Sequence, residues 1–190
     1  QVEVGEQAFD HIEAEAGQWK LKRDLTHVSV PDTLRQLIEK QIQQRSEMEQ
    51  RLLEVASIAG IEFTVAVVGA AIKQDVEDVE GVCEALAWHG HFLEERGVVE
   101  WPDGTVTGRY AFRHALYHNV LSDRIAAARR IRLHRFIGKR LEVAYGKRAQ
   151  EVAAELAVHF DQGRDSQRAI LYLEHAGKNA IQRSAYREAI

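Results

Sequence analysis

The chain has 190 residues, of which 45% are hydrophobic and 28% are charged, the balance of a folded globular protein rather than a disordered one. Its net charge of -4 and its pI near 6.2 exclude a general electrostatic attraction for nucleic acid or for an anionic membrane, although a local basic patch could still supply one. Cys83 is the single cysteine, which excludes an internal disulfide and favours a reducing, cytoplasmic setting.

The longest apolar runs, such as residues 65–72, are much shorter than the ~20 residues that a membrane-spanning helix requires. We therefore expect no membrane association. The chain begins without a methionine, and its last residues, RSAYREAI, lie inside a strongly helical pattern. These two features lead us to expect a segment of a longer protein.

Residues 1–29 carry weak patterns and are treated as a separate, poorly defined N-terminal segment. An ill-defined helical stretch is followed by alternating polar and apolar residues around Trp19, which favours a short strand. A clear helix is predicted over residues 31–44. Asp32 suits its first turn, and apolar residues recur at helical spacing as far as Ile42.

Three more helices are predicted before residue 91. Ser46 followed by Glu49 forms a capping-box pattern, and Gly60 stands where that first helix should end. Thr64 suits the N-cap of a short second helix that runs through Ile72. The third helix lies in QDVEDVEGVCEALAWHG. Its buried face is predicted to carry Val76, Val79, Cys83, Leu86 and Ala87.

A β-hairpin is predicted over residues 92–112. One strand ends at Trp101, the sequence PDG makes the turn, and the second strand runs from Val106 to Phe112. Three helices followed by a two-stranded wing are the element order of a winged-helix domain. We therefore assign residues 30–122 to a winged-helix-like domain with its wing at 92–112.

The rest of the chain is predicted to be helical, so the fold class is mainly α with one hairpin. A long helix ends at Gly146, and a pair of helices separated by DQGRD follows. Residues 123–190 are assigned to a helical linker and the start of antiparallel, tetratricopeptide-like (TPR-like) repeats. The inward-facing residues of the pair are predicted to be Ala149, Val152, Ala153, Leu156, Ala157 and Phe160 on the first helix and Ala169, Tyr172, Leu173, Ala176 and Ala180 on the second.

The repeat assignment depends on residue spacing. Leu156, Phe160 and Ala169 follow the tetratricopeptide pattern, with Ala157 in place of its usual glycine. Small residues at these positions let neighbouring helices approach closely. The stretch AYREAI resembles the start of the next helix, which predicts a solenoid that continues with further repeats.

No motif predicts catalysis by this chain alone. Its three Gly-Lys pairs, at 138–139, 146–147 and 177–178, lack the upstream glycine and the following Ser or Thr of a Walker A loop. Cys83 falls on a buried stripe, which favours core packing over a nucleophilic role. We therefore expect no enzyme activity and no resident cofactor in this chain.

Nine histidines raise the question of a metal site. His114 and His118 stand four residues apart, and His89 and His91 lie nearby in sequence, but no glutamate completes the HExxH zincin motif. Ordinary surface or partly buried histidines are the favoured interpretation, and no metal is predicted.

Charge patterns bear on DNA binding, because winged helices often read the major groove with their third helix. Here that helix has no basic residue and carries five carboxylates: Asp75, Glu77, Asp78, Glu80 and Glu84. They would repel DNA phosphates. The basic residues follow the wing instead: Arg124, Arg129, Arg130, Arg132, Arg135, Lys139 and Arg140. A solvated face that packs against an acidic partner domain is favoured over a nucleic-acid patch.

Over residues 28–190 the chain resembles bacterial signal-transduction ATPases with numerous domains (STAND). The resemblance is carried by PDTLRQLIEKQI, EQRLLEVASIAGIEF, VEGVCEALAWHGHFLEERG, EWPDGTVTGRYAFRHALYHNVL, RLHRFIGKRLEVAYG and AAELAVHF. It implies a domain order of ATPase core, helical domain, winged helix and TPR-like sensor. The ATPase core, with its ATP or ADP, would lie outside this chain.

Two classes of function stay open. The resemblance implies a non-catalytic regulatory and interaction module that couples a TPR-like sensor to the nucleotide state of the ATPase core. Its partners would be that core, further repeats and other proteins. The alternative is a DNA-binding winged-helix regulator with a helical sensing or dimerisation tail.

The same resemblance implies a role for His114. In related proteins a Met-His-Asp stretch opens the last winged-helix helix, and its histidine contacts the phosphate of ADP. The stretch FRHAL is similar in placement, with Ala115 where the aspartate would stand. His114 is thus a candidate ADP-phosphate contact in the whole protein. The alternative is that His114 only caps the helix or fills the corner between hairpin and helix.

Overall fold

The computed structural model describes residues 12–15, 18–21, 32–88 and 92–188, and the chain divides into two compact units, Gln1–Arg35 and Gln36–Ile190. The first unit contains an antiparallel pair of strands, β1 (Ile12–Glu15) and β2 (Gln18–Leu21). The predicted strand around Trp19 is confirmed. The prediction of a helix before this strand is wrong for residues 12–15, because they form β1 and pair with β2.

The second unit is mainly helical and has a small three-stranded antiparallel sheet. This confirms the mainly α part of the predicted fold class. The remaining elements in chain order are α1 (Asp32–Gln43), α2 (Glu47–Ala59), β3 (Glu62–Thr64), α3 (Val65–Ile72), α4 (Val76–Trp88), β4 (Leu93–Glu100), β5 (Val106–Phe112), α5 (Ala115–Arg124), α6 (Ala127–Tyr145), a 3-10 helix (Gly146–Val152), α7 (Ala153–Gln162) and α8 (Ser166–Glu188).

Helix α2 begins with the predicted capping box. The Ser46 Oγ accepts a hydrogen bond from the Glu49 backbone N–H at 3.2 Å, and the Ser46 N–H donates to the Glu49 Oε2 at 2.7 Å. Two of the N–H groups that a helix start leaves unpaired are satisfied in this way. Gly60 follows the helix at a φ of 143°, in a region that a residue with a side chain rarely adopts.

Strand β3, like β1, was not predicted from the sequence patterns. It has only three residues, too few for an alternating pattern, and it exists because it pairs with β5, with Phe63 opposite Tyr110. Thr64 occupies the N-cap position of α3, as predicted, but its side chain makes no capping hydrogen bond.

The hairpin of β4 and β5 confirms the predicted pair of strands, and the sheet order is β3-β5-β4. The turn is closed by two backbone hydrogen bonds of 2.9 Å, from the Trp101 N–H to the Thr105 carbonyl and from the Gly104 N–H to the Trp101 carbonyl. Gly104 has a φ of 85°, which explains the glycine of the PDG sequence.

The helix packing confirms most of the predicted buried positions. On α4, Val79, Cys83 and Leu86 are buried, whereas Val76 and Ala87 are only half-buried. Helix α6 ends at Tyr145 with Gly146 as its C-cap, as predicted. The residues of the DQGRD break lie at the end of α7 and in the turn before α8.

One apolar cluster extends through this unit from α2 to α8. It takes Ile58 from α2, Val67 from α3 and Trp101 from the hairpin turn, and it continues with residues of the later helices. These are Ile137, Leu141 and Ala144 of α6, Ala153, Leu156, Ala157 and Phe160 of α7, and Ala169 and Tyr172 of α8. Helices on both sides of the hairpin therefore share a core.

Two predictions about the last helix are wrong. Leu173 is 59% exposed and Ala180 is also exposed, because the buried face of α8 passes through Ala169, Tyr172 and Ala176. Helix α8 also runs from Ser166 to Glu188 without a break, so AYREAI does not start a new helix over its described residues. That stretch contains no glycine or proline that could end α8.

Leu156 and Leu173 provide a test of this core, since the sequence pattern treated both leucines as buried. Leu156→Ala should lower the free energy of unfolding by about 2–5 kcal/mol, because Leu156 is fully buried and the substitution leaves a cavity. Leu173→Ala should cost less than about 1 kcal/mol. Urea unfolding followed by circular dichroism measures both, and equal losses would contradict the described packing.

Candidate functional site

His114 lies at a corner that is held by the sheet. The Phe112 N–H donates to the Ile61 carbonyl at 2.8 Å, and the Arg113 N–H donates to the Phe92 carbonyl at 3.0 Å. His114 then takes the N-cap position of α5 with an extended backbone. These two backbone hydrogen bonds fix the point at which the chain leaves β5 and α5 begins at His114.

The imidazole of His114 is exposed and makes no capping hydrogen bond to α5. Its ring lies 6.0 Å from the ring of Tyr117. Tyr117 in turn packs against Phe92 at 4.9 Å and donates its hydroxyl hydrogen to the Gln41 Oε1 at 3.3 Å. The histidine is thus supported from one side, and its exposure leaves the ring accessible to a group outside this chain.

His118 does not join His114 in a common site. The Nδ1 atom of His118 lies 3.1 Å from the Asn119 Oδ1, and its ring meets the edge of Phe112 at 5.9 Å. His89 and His91 lie outside the described residues. Within the part of the chain that the structure describes, no group of three or more His, Cys, Asp or Glu residues is placed to hold a metal ion.

Cys83 occupies a fully buried position on α4, as predicted. Burial, with a smaller contribution from the nearby carboxylates of Glu80 and Glu84, raises the pKa of its thiol to about 12. The thiolate form that a nucleophile needs is therefore strongly disfavoured. Cys83 acts as a small apolar side chain in the core.

The exposed face of α4 is acidic, as the sequence predicted. Asp75, Glu77, Asp78 and Glu84 are exposed and Glu80 is half-buried. The pKa of Tyr110 on the neighbouring strand β5 is raised. Burial is the main cause, and the charges of Cys83, Glu95, Glu84 and Glu80 add to it. The exposed face of α4 therefore carries negative charge and no basic side chain.

The hairpin turn is held against α6. The Arg140 guanidinium lies 4.8 Å from the centre of the Trp101 ring and 3.1 Å from the Asp103 Oδ2. Hydrogen bonds from Thr105 and Arg140 hold the pKa of the Asp103 carboxyl below its usual value. Trp101 is buried and also meets Tyr145 at 6.3 Å. Trp101 and Asp103 of the turn are therefore both in contact with α6.

Three of the seven basic residues that follow the hairpin have partners inside the chain. Arg129 pairs with Glu54 at 2.7 Å, Arg135 donates two hydrogen bonds to the Gly163 carbonyl, and Arg140 holds the hairpin turn. The exposed basic side chains that remain in this set are Arg124, Arg132 and Lys139. The basic surface is thus smaller than the sequence pattern suggests.

A pair of histidines on α6 and α7 was not identified from the sequence. The Nδ1 atoms of His134 and His159 lie 3.1 Å apart, and His159 is 3% exposed. Burial lowers the pKa of both imidazoles to about 4, with the charge of Arg130 adding to the effect on His134. Both rings are neutral near pH 7, so one Nδ1–H donates to the other Nδ1. A separation of 25 residues carries no signal of such a contact.

Comparison of the chain with protein-family models, with curated proteins and with solved structures finds no match. Within the described residues, no helix combines the length and the apolar character needed to cross a membrane.

The histidine pair predicts a loss of stability on mild acidification. In the unfolded chain these imidazoles titrate near 6.5, and in the folded chain near 4. The unfolded state therefore binds more protons as the pH falls from 6.5 towards 4, and the free energy of unfolding should drop by up to about 3 kcal/mol for each imidazole. Urea unfolding at several pH values measures this slope.

The double variant His134→Leu, His159→Phe should flatten the slope between pH 6.5 and pH 5, because neither ring remains to be protonated. His114→Gln is the matched control, since His114 is exposed, and it should keep the wild-type slope. If the free energy of unfolding of the double variant falls with pH as steeply as that of the wild type, the histidine pair does not cause the pH dependence.

Proposed function

We propose that this chain is a non-catalytic regulatory module in which a winged-helix domain is joined to TPR-like helices. The support for the first part is the element order from α2 to β5 with the sheet order β3-β5-β4. A first helix, a short strand, two helices and a hairpin form the usual winged-helix sequence of elements. The hairpin of β4 and β5 would be its wing.

The observation that carries this proposal is the contact between the wing and α6. In a DNA-binding winged helix the wing is available to the nucleic acid, whereas here Trp101 is buried and Arg140 holds both Trp101 and Asp103. A wing that is held in this way makes contacts within the chain. These contacts favour a role in which the wing links the domain to the helices that follow it.

The charge of α4 supports the same conclusion. DNA binding depends on the neutralisation of phosphates by basic side chains, and the helix in the position of a recognition helix exposes only carboxylates as charged groups. The regulatory interpretation therefore has more support than the DNA-binding alternative.

The TPR-like part is supported by α7 and α8. Phe160 and Tyr172 stack at 5.7 Å across the pair, and Ala157 and Ala169 are buried in the same cluster. Beside this buried face of α8, a row of apolar residues is exposed: Ile170 at 67%, Leu173 at 59% and Ile181 at 72%. In a solenoid such a row is covered by the next repeat. We therefore propose further repeats as the partner of this face.

The proposed context is a multidomain signalling ATPase of the STAND type, in which the nucleotide is bound by a core outside this chain. The shared core that extends from α2 to α8 would make this module move as one body. A change in the repeats would then reach the corner at His114 without a flexible joint. His114, exposed at the start of α5, is the proposed contact to the ADP phosphate.

A DNA shift assay tests the choice between the two classes of function. We expect the chain at micromolar concentration to leave a labelled duplex unshifted even at low salt, because α4 is acidic and the wing is held by α6. A shift that weakens steeply as salt is added would favour the DNA-binding alternative. Arg132→Glu would then show whether the exposed basic side chains of α6 are responsible.

The proposed role of His114 is tested in the whole protein. His114→Ala should accelerate the release of ADP and raise the basal activity, because a contact that holds the ADP state is lost. Retention of bound ADP, measured after gel filtration, and the basal output are the two readouts. His118→Ala is the matched control four residues further along α5. Unchanged ADP retention and output in His114→Ala would overturn this role.

A further inference from the structure

A cavity of about 610 Å³ lies where the end of α2 meets α5, α6 and α7. Its size is within the range of ~300–1,000 Å³ that small-molecule sites occupy. Ile58 and Val158 contribute apolar surface, whereas Ser122, Arg130 and the two paired histidines contribute polar groups. Eight of the twelve lining residues have polar side chains and the rest supply apolar surface, so the polar groups would decide which ligand the cavity accepts.

Arg130 is the basic group of this cavity and differs from its neighbours on α6. Arg129 pairs with Glu54 and Arg135 with the Gly163 carbonyl, but no hydrogen bond or ion pair of the Arg130 side chain is found among the described residues. The side chain is half-buried. A guanidinium removed from part of its water without a partner is costly unless an anion compensates it.

The other polar groups limit the charge of a ligand. His134 and His159 are neutral, and their mutual Nδ1 hydrogen bond leaves one Nε2–H donor and one Nε2 acceptor in the pair. Glu155 is the carboxylate among the lining residues, and burial raises the pKa of its carboxyl. Arg130 compensates one negative charge of a ligand but only half of the charge of a dianion such as phosphate, so the lining fits a monoanion better.

We propose that this cavity binds a small organic carboxylate, with the carboxylate group on Arg130 and an apolar body against Ile58 and Val158. Ser122 of α5 is placed to add a hydroxyl donor. A ligand in this position touches helices before and after the hairpin–helix corner, so it would stabilise their relative arrangement. This inference goes beyond the regulatory function proposed above and does not depend on it, since binding is measured on this chain alone.

Benzoate and its neutral analogue benzamide are the probes for the test, because they share size and shape and differ in charge. Isothermal titration should show binding of benzoate to the wild-type chain and weaker binding of benzamide by about ten-fold or more. Inorganic phosphate should bind more weakly than benzoate. No binding of benzoate at millimolar concentration, equal binding of both probes, or tighter binding of phosphate would overturn the proposal.

Two variants on α6 locate the bound carboxylate. Arg130→Gln should weaken benzoate binding about ten-fold, whereas Arg132→Gln, which removes an exposed charge outside the cavity lining, should leave it unchanged. Arg130→Lys should restore part of the affinity. Circular dichroism confirms that each variant is folded. Equal weakening by Arg130→Gln and Arg132→Gln would show that benzoate responds to general charge and would overturn the site.

Discussion

The burial of Trp101 against α6 is the contact on which the arrangement of the second unit depends. Trp101 belongs to the hairpin turn, yet it lies in the apolar cluster that α2, α3, α6, α7 and α8 share. Arg140 covers its ring and binds Asp103 of the same turn. A turn with a large aromatic residue would otherwise expose that residue to water. The contact therefore stabilises the hairpin and also joins it to the helices that follow.

The elements that were predicted from the sequence are those whose causes are local. The capping box at Ser46, the PDG turn and the end of α6 at Gly146 each depend on residues within a few positions of one another. Strand β3 and the exposed side of α8 have non-local causes. β3 exists through its pairing with β5, and Leu173 is exposed because α7 packs against the adjacent face of α8.

The candidate sites divide in the same way. The acidic face of α4 could be predicted, because consecutive carboxylates on a helix remain acidic in any packing arrangement. The exposure of His114 and the lack of a partner for Arg130 among the described residues could not, because both depend on which neighbours the fold brings near. The pairing of His134 with His159 joins two helices across 25 residues. The spacing of residues along one sequence does not indicate such a contact.

The fixed hairpin turn also bears on how this module could act. In the proposed regulatory function, energetic coupling between two surfaces would be carried by packed side chains and rigid elements. Helix α8, which carries the exposed row, takes part in the packed core, and α5, which begins next to His114, packs against α2 of the same core. Packed cores shift between discrete arrangements rather than deform gradually. A displacement of α8 that carries α6 with it would therefore either move the hairpin turn or break the contact between Arg140 and Trp101.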